Sequence, residues 1–134
     1  IQIDCDVIQA DGGTRTASVT GGFVALALAL KFLKNQGLIT KIPLKNYVAA
    51  ISVGLLNGHA LLDLNYEEDA ACGTDMNFVI NDANAFIEVQ GTAEGTAFTK
   101  AQMDEMCAVA TEGCRQLFLK QAEIVNGIFP LTQR

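Results

Sequence analysis

Two clusters of residues in this sequence have the types and spacing to do chemistry. The first is Asp11-Gly12-Gly13-Thr14-Arg15-Thr16-Ala17, read as the opening of a helix directly after an apolar strand. Two glycines let backbone N–H groups approach a ligand closely. The first helical turn adds unpaired donors and a partial positive charge, which together suit a phosphate-sized anion. Arg15 is a fixed-charge fork able to hold two oxyanion oxygens, and Thr14 offers a hydroxyl beside it. The same residues would also serve a plain helix start that happens to carry an arginine, because Gly and Thr are common entry residues. The second cluster is acidic: Glu67, Glu68, Asp69 and, after a short uncharged stretch, Asp75. Ala70-Ala71-Cys72-Gly73-Thr74 is small enough to fold tightly and bring Asp69 and Asp75 together. Two carboxylates sharing a site repel unless a proton or a cation intervenes, which suits Mg²⁺ held partly through water. A solvated acidic loop is the alternative, and Glu67 and Glu68 fit it. An oxyanion cradle beside a paired-carboxylate cation site makes the two halves of a phosphoryl-transfer centre.

Positioning these clusters takes a sheet and two helices. Ile1 to Gln9 alternates apolar and polar residues, as a half-buried strand should. A helix is predicted from about Thr16 to Gln36, with Val24, Leu28 and Phe32, or alternatively Ala27, Leu30 and the stem of Lys31, on its apolar face and Gly37 as its left-handed stop. Gly21 and Gly22 cost helix stability, so they predict close packing onto the sheet. Tyr47 to Leu56 and His59 to Tyr66 read as strands joined at Asn57-Gly58, the strongest short hairpin signal. His59 is read as a turn-flanking polar residue. Asp75 to Asn81 and Ala85 to Thr92 form a second hairpin around Asp82-Ala83-Asn84. The last element is a helix from Lys100 to about Asn126, opened by a Thr99/Gln102 capping box and stopped before Pro130. Met103, Met106, Cys107, Ala110, Cys114, Leu117, Phe118 and Gln121 form its inward stripe, and the tail to Arg134 is expected to be mobile. The order β-α-β-β-β-β-α predicts an α+β fold, one mixed or antiparallel sheet with two helices packed on it.

Composition narrows the function. The chain has 134 residues, half of them apolar and 18% charged, which is one domain with a real core. The apolar run Phe23 to Leu30 is far shorter than the roughly 20 residues a bilayer span needs, so no membrane role is expected. Four scattered cysteines without a C-x-x-C pair make zinc improbable and point to reduced thiols and a cytoplasmic setting. A net charge of −6 with dispersed Lys and Arg argues against this surface gripping nucleic acid unaided. The chain also opens at Ile1 already inside an expected strand, with no Met, which reads as the C-terminal part of something longer.

Four blocks then carry a resemblance. Asp11-Gly12-Gly13-Thr14-Arg15-Thr16-Ala17, Leu62-Asp63-Leu64-Asn65-Tyr66-Glu67-Glu68-Asp69, Thr74-Asp75-Met76-Asn77 and Glu88-Val89-Gln90-Gly91-Thr92-Ala93-Glu94-Gly95 resemble the bacterial ribonuclease PH family in order and spacing. The likeness covers the chain up to its last helix. It implies a fold similar to ribosomal protein S5 domain 2 and a phosphate-dependent 3′→5′ exoribonuclease that trims tRNA precursor 3′ ends. Nucleoside 5′-diphosphates are the implied products, and the reverse reaction is nucleotidyl transfer. A hexameric ring of dimers is the implied assembly. Carried over by motif, Gly13, Thr14 and Arg15 would bind the attacking phosphate. Asp69 and Asp75 would be catalytic and hold Mg²⁺, with Asp75 also a candidate general acid for the departing 3′-oxygen. Glu88 and Glu94 are expected to be structural. The family has an N-terminal half, with a phosphate-contacting arginine and basic RNA-facing residues, that this chain lacks, and Cys72-Gly73 stands where Ala-Glu is more usual. Residues 1–134 are therefore expected to form a single domain, the C-terminal part of a ribonuclease PH-type domain, inactive without its other half. A non-catalytic ring subunit and a stand-alone Mg²⁺-dependent phosphatase are the rival readings.

Overall fold

The computed structural model describes residues 1–131. The order is α1 (Thr14–Asn35), β1 (Val48–Leu56), β2 (His59–Leu62), α2 (Tyr66–Ala71), β3 (Thr74–Asn81), β4 (Phe86–Ala93) and α3 (Lys100–Val125). The four strands lie in the order β2-β1-β3-β4, with every described pairing antiparallel. The fold is α+β. Asn57 (φ 52°) and Gly58 (φ 83°) both take the left-handed conformation that a tight β1–β2 turn requires.

The core lies on one face of the sheet. Ala49, Ile51, Val53 and Leu55 of β1 and Met76, Phe78 and Ile80 of β3 meet Met106, Ala110, Cys114, Phe118 and Val125 of α3. The expected inward stripe of α3 holds, with Met103, Cys107 and Leu117 partly buried at its border. Phe23 and Ala27 of α1 join the same core, and Phe23 and Phe129 both pack against the Tyr47 ring.

α1 lies where β2 stops. β2 pairs only with Val53–Leu56, which leaves the first half of that edge of β1 open. Thr20 fills the gap: its hydroxyl donates to the Ala50 carbonyl (3.1 Å) and accepts the Ala50 N–H (2.9 Å). Gln121 of α3 completes the seal, its amide donating to the carbonyls of Thr20 and Val48 (2.9 and 2.8 Å). Buried backbone groups must find partners, and here side chains supply them.

Several expectations are corrected. Ile1 to Gln9 forms no strand: all of it is exposed, Ile8 by 98%, because an alternating pattern becomes a strand only against a neighbour. Gly21 and Gly22 do not touch the sheet. Gly21 faces open space and Gly22 meets only Ile3, so neither is required by packing. Of the two expected faces of α1 the second is the buried one: Leu28 and Phe32 are exposed, while Ala27 and Leu30 are buried together with Thr16 and Phe23. At 22 residues, α1 is long and apolar enough to cross a bilayer, so the shortness of Phe23–Leu30 excludes nothing. The third strand ends at Leu62 rather than Tyr66, and the supposed acidic loop contains α2. Arg134 and the two residues before it lie outside the described residues, and with them the expected mobile tail.

Candidate active site

Gly13 opens α1 in the left-handed conformation (φ 72°), and no side chain caps the helix. The first backbone bond is Ala17 N–H to the Gly13 carbonyl (2.9 Å). The N–H groups of the first turn therefore face outward as an anion-attracting cluster. Thr14 does not point into that cluster, because its hydroxyl donates to the Asp11 carbonyl (2.9 Å). It braces the loop instead. Both glycines are forced by contact. A Cβ on Gly12 would stand 2.0 Å from the Leu64 carbonyl oxygen, and one on Gly13 3.1 Å from Ser52 Oγ. Ser52 is buried and its hydroxyl has no partner among the described residues, so a polar group lies directly beneath the glycine loop.

Arg15 reaches to β4. Its Nη2 donates to Glu88 Oε2 (3.0 Å) and lies 2.8 Å from Oε1, with both side chains partly exposed. Glu88, expected to be structural, is thus the anchor of the candidate phosphate-binding arginine.

The acidic half is built by α2, whose Asn65 and Glu68 form a capping box (2.9 and 3.1 Å). The helix carries Asp69 and ends at Cys72. Gly73 and Glu94 then hydrogen-bond the start of β3 to its neighbours. Asp75 is thereby set beside Asp69. Burial, then the charge of Asp69 and then Glu94 push the Asp75 carboxyl above the ordinary carboxylate range, while the Met76 N–H pulls the other way. Burial and then the charges of Asp69, Asp75 and Glu68 raise the Cys72 thiol, which keeps it protonated and unreactive. Asp69 is near enough for its charge to act on the Asp75 carboxyl. Among the described residues no group of three or more His, Cys, Asp or Glu is placed to hold a metal. Two repelling carboxylates still fit Mg²⁺, a hard cation that keeps several waters and takes one or two protein carboxylates.

Strand register decides whether the two halves share a face. Met76, Phe78 and Ile80 point into the core, so Asp75, Asn77 and Val79 lie on the opposite face. Their partners on β4 are Thr92, Gln90 and Glu88, and on β1 they are Gly54, Ser52 and Ala50. Glu88 and Asp75 therefore share the polar face, four residues apart along the ladder, or about 13 Å at ~3.3 Å per residue. The neutral pair Asn77 and Gln90 lies midway. Arg15 enters from one end of this trough and the carboxylates stand at the other. Both clusters thus lie toward the same side of the sheet, separated by the Asn77–Gln90 pair.

Gly54 and Ser52 escaped the sequence reading, and Asp11 was read only as part of its motif, without a role. Asp11 Oδ1 accepts the N–H of Gly12 (2.9 Å) and of Tyr66 (2.6 Å), tying the glycine loop to α2. Gly54 lies where a Cβ would meet Cys72 Sγ (2.6 Å) and Leu64 (2.7 Å), so its missing side chain is what lets the α2 segment dock on the sheet. A glycine inside an apolar strand signals such a close approach. Ser52 gave no signal.

With this geometry in view, the chain can be set against known proteins. A profile of the 3′ exoribonuclease family, domain 2, matches residues 46–113. Ribonuclease PH of Bdellovibrio bacteriovorus is 62% identical over 98% of this chain and 54% of its own length. That of Syntrophomonas wolfei is 54% identical over 92% of the chain and 52% of its length. The chain spans about half the length of these curated relatives. A chain from the structure of the Archaeoglobus fulgidus exosome with RNA bound to the active site superposes with a TM-score of 0.63 at 18% identity, over 84% of this chain and 45% of that one. At that identity the likeness establishes the fold, in keeping with the S5 domain 2-like arrangement. Profile, identity and fold agree, and the chain belongs to the 3′ exoribonuclease family, as a relative of ribonuclease PH.

Proposed function

We propose that this chain is the catalytic C-terminal part of a phosphate-dependent 3′→5′ exoribonuclease that trims the 3′ ends of tRNA precursors in the cytoplasm. The observation that carries the reading is the shared polar face, with an uncapped helix start and Arg15 at one end and Asp69 and Asp75 at the other. Inorganic phosphate lies against the N–H groups at Gly13 and Thr14 and against the Arg15 guanidinium. One of its oxygens forms a bond to the phosphorus of the terminal nucleotide. The bond from that phosphorus to the preceding 3′-oxygen breaks, the 3′-oxygen takes a proton, and a nucleoside 5′-diphosphate leaves.

Asp69 and Asp75 would hold Mg²⁺, which supplies charge neutralisation at the reacting phosphates when bound. Asp75 is also the candidate general acid for the departing oxygen, in a state where Asp69 alone holds the cation. The net charge of −6 leaves RNA-backbone binding to basic residues elsewhere, in a preceding half and in other subunits of a ring of dimers. Retention of both Arg15 and the aspartates favours this reading over a silent ring subunit. The test is product analysis of the full-length protein with RNA, phosphate and Mg²⁺. Nucleoside diphosphates should appear, and Asp75→Asn should reduce their release by about 100-fold or more. Release of nucleoside monophosphates without phosphate, or an unchanged Asp75→Asn rate, overturns the assignment.

A further inference from the structure

The proposed chemistry uses Gly13, Thr14, Arg15, Asp69 and Asp75 and leaves Asp11 without a role. Yet Asp11 is the residue through which the two halves of the site touch. Its Oδ1 accepts two backbone N–H groups, Gly12 on the oxyanion loop (2.9 Å) and Tyr66 at the first turn of α2 (2.6 Å). Its own carbonyl accepts the Thr14 hydroxyl (2.9 Å), which fixes the loop on the other side. The backbone contact beneath is equally tight: Gly12 has no space for a side chain against the Leu64 carbonyl, and Leu64 is itself buried at 1% exposure. Residues 11–14 and 64–66 thus form an interlocked pair of turns. One continues into the helix start that faces the phosphate. The other continues into the single short helix that carries Asp69.

We propose that Asp11 is a positioning residue that couples the oxyanion loop to α2, so that phosphate and the divalent cation each tighten the other's binding. This rests on the function proposed above. A ligand that orders the loop draws on Asp11 to order the Tyr66 N–H and hence α2. Asp69, three residues on, is then held in the position that meets Asp75. By reciprocity, a cation that orders Asp69 orders the loop. The carboxylate also sits where a negative charge favours the start of α2. The coupling needs an acceptor oxygen at this position rather than a charge, so Asn can serve and Ala cannot.

The experiment is calorimetric titration of inorganic phosphate into the full-length protein, with and without saturating Mg²⁺. Wild type should bind phosphate about ten-fold more tightly with the cation present, a typical coupling. Asp11→Ala should bring that ratio close to one while phosphate binding without Mg²⁺ changes far less. Asp11→Asn should restore the ratio. Arg15→Ala, in contrast, should lose phosphate binding under both conditions. If Asp11→Ala keeps the ten-fold ratio, or if wild type phosphorolyses RNA but shows a ratio of one, the link is wrong while the assigned reaction stands. A wild type that neither binds phosphate nor phosphorolyses RNA overturns the reaction and the link with it. Loss of the ratio in both Asp11 variants, with unchanged melting temperature, also overturns the link as drawn, because the acceptor oxygen would then not be the determinant.

Discussion

The two long helices are of similar length, 22 residues in α1 and 26 in α3, and they begin in opposite ways. α3 closes its own first turn: Thr99 and Gln102 exchange side-chain and backbone bonds, at 2.9 Å for the Thr99 N–H and 3.3 Å for the Gln102 N–H. Short α2 does the same with Asn65 and Glu68. α1 leaves its first turn bare, behind a left-handed glycine with no capping side chain. A capped start serves stability, worth about 1 kcal/mol per cap. A bare start beside an arginine gives up that stability and keeps its donors for a ligand.

Substituting both starts gives the largest expected effect. Arg15→Ala should lower kcat/KM for phosphate by about 100- to 1,000-fold. Its effect on melting should be small, because the Arg15–Glu88 pair is partly exposed and such pairs contribute about 1 kcal/mol or less. Thr99→Ala should do the reverse, costing about 1 kcal/mol of stability with kinetics unchanged. Phosphorolysis kinetics and chemical denaturation of both variants check this. Full activity of Arg15→Ala at limiting phosphate would erase the distinction between the two helices.

A second contrast lies among the glycines at and within α1. Gly12→Ala drives a methyl into the Leu64 carbonyl, and backbone cannot rotate aside as a side-chain tip can. The expected cost is about 2–3 kcal/mol, with the loop displaced. Gly21→Ala meets nothing within 4 Å and should stabilise the protein by about 0.5–1 kcal/mol, the ordinary gain of alanine inside a helix. Denaturant midpoints of the two variants should move in opposite directions. Equal midpoints would mean that the Gly12–Leu64 contact does not constrain the loop.

These contrasts also show which features could be read in advance. Asn57-Gly58 and the Thr99/Gln102 box were legible because each is local: the turn demands positive φ at both positions, and the box needs only a three-residue spacing. α2 was missed because six residues cannot display a period, although Asn65 three positions before Glu68 was a readable capping signal. Ile1–Gln9 misled for the opposite reason. Its alternation was clear, but alternation says nothing about whether a neighbouring strand is present. Gly13, Thr14, Arg15, Asp69 and Asp75 were legible from residue type and spacing and took their roles from motif likeness, but their placement on one face rested on register that no local pattern encodes. The Asp11–Tyr66 bond spans 55 residues, and Arg15–Glu88 spans 73. Contacts at that separation are set by the whole fold.

The smallest effect concerns the side of α3 that does no chemistry. Cys114 is fully buried, its thiol facing the Ala49 carbonyl at 3.7 Å, and burial pushes it up to about 11 from an ordinary 9. Below pH 9 the thiol is protonated both folded and unfolded, so it contributes no pH dependence. Between pH 9 and 11 the unfolded chain loses the proton while the folded chain keeps it, so stability falls as pH rises through that window. At pH 10 the loss from this one group is about 1 kcal/mol. Burial shifts Cys107, Cys72 and Tyr47 in the same direction, so the total decline alone does not identify Cys114. The informative quantity is the difference between wild type and Cys114→Ala. The variant starts less stable, having lost buried atoms, but its stability should fall less steeply from pH 9 to 11. Denaturation at half-unit pH steps measures both slopes. Parallel slopes would mean that the α3 thiol ionises as freely in the folded protein as in the unfolded chain, and the seal between α3 and β1 would then be looser than its burial implies.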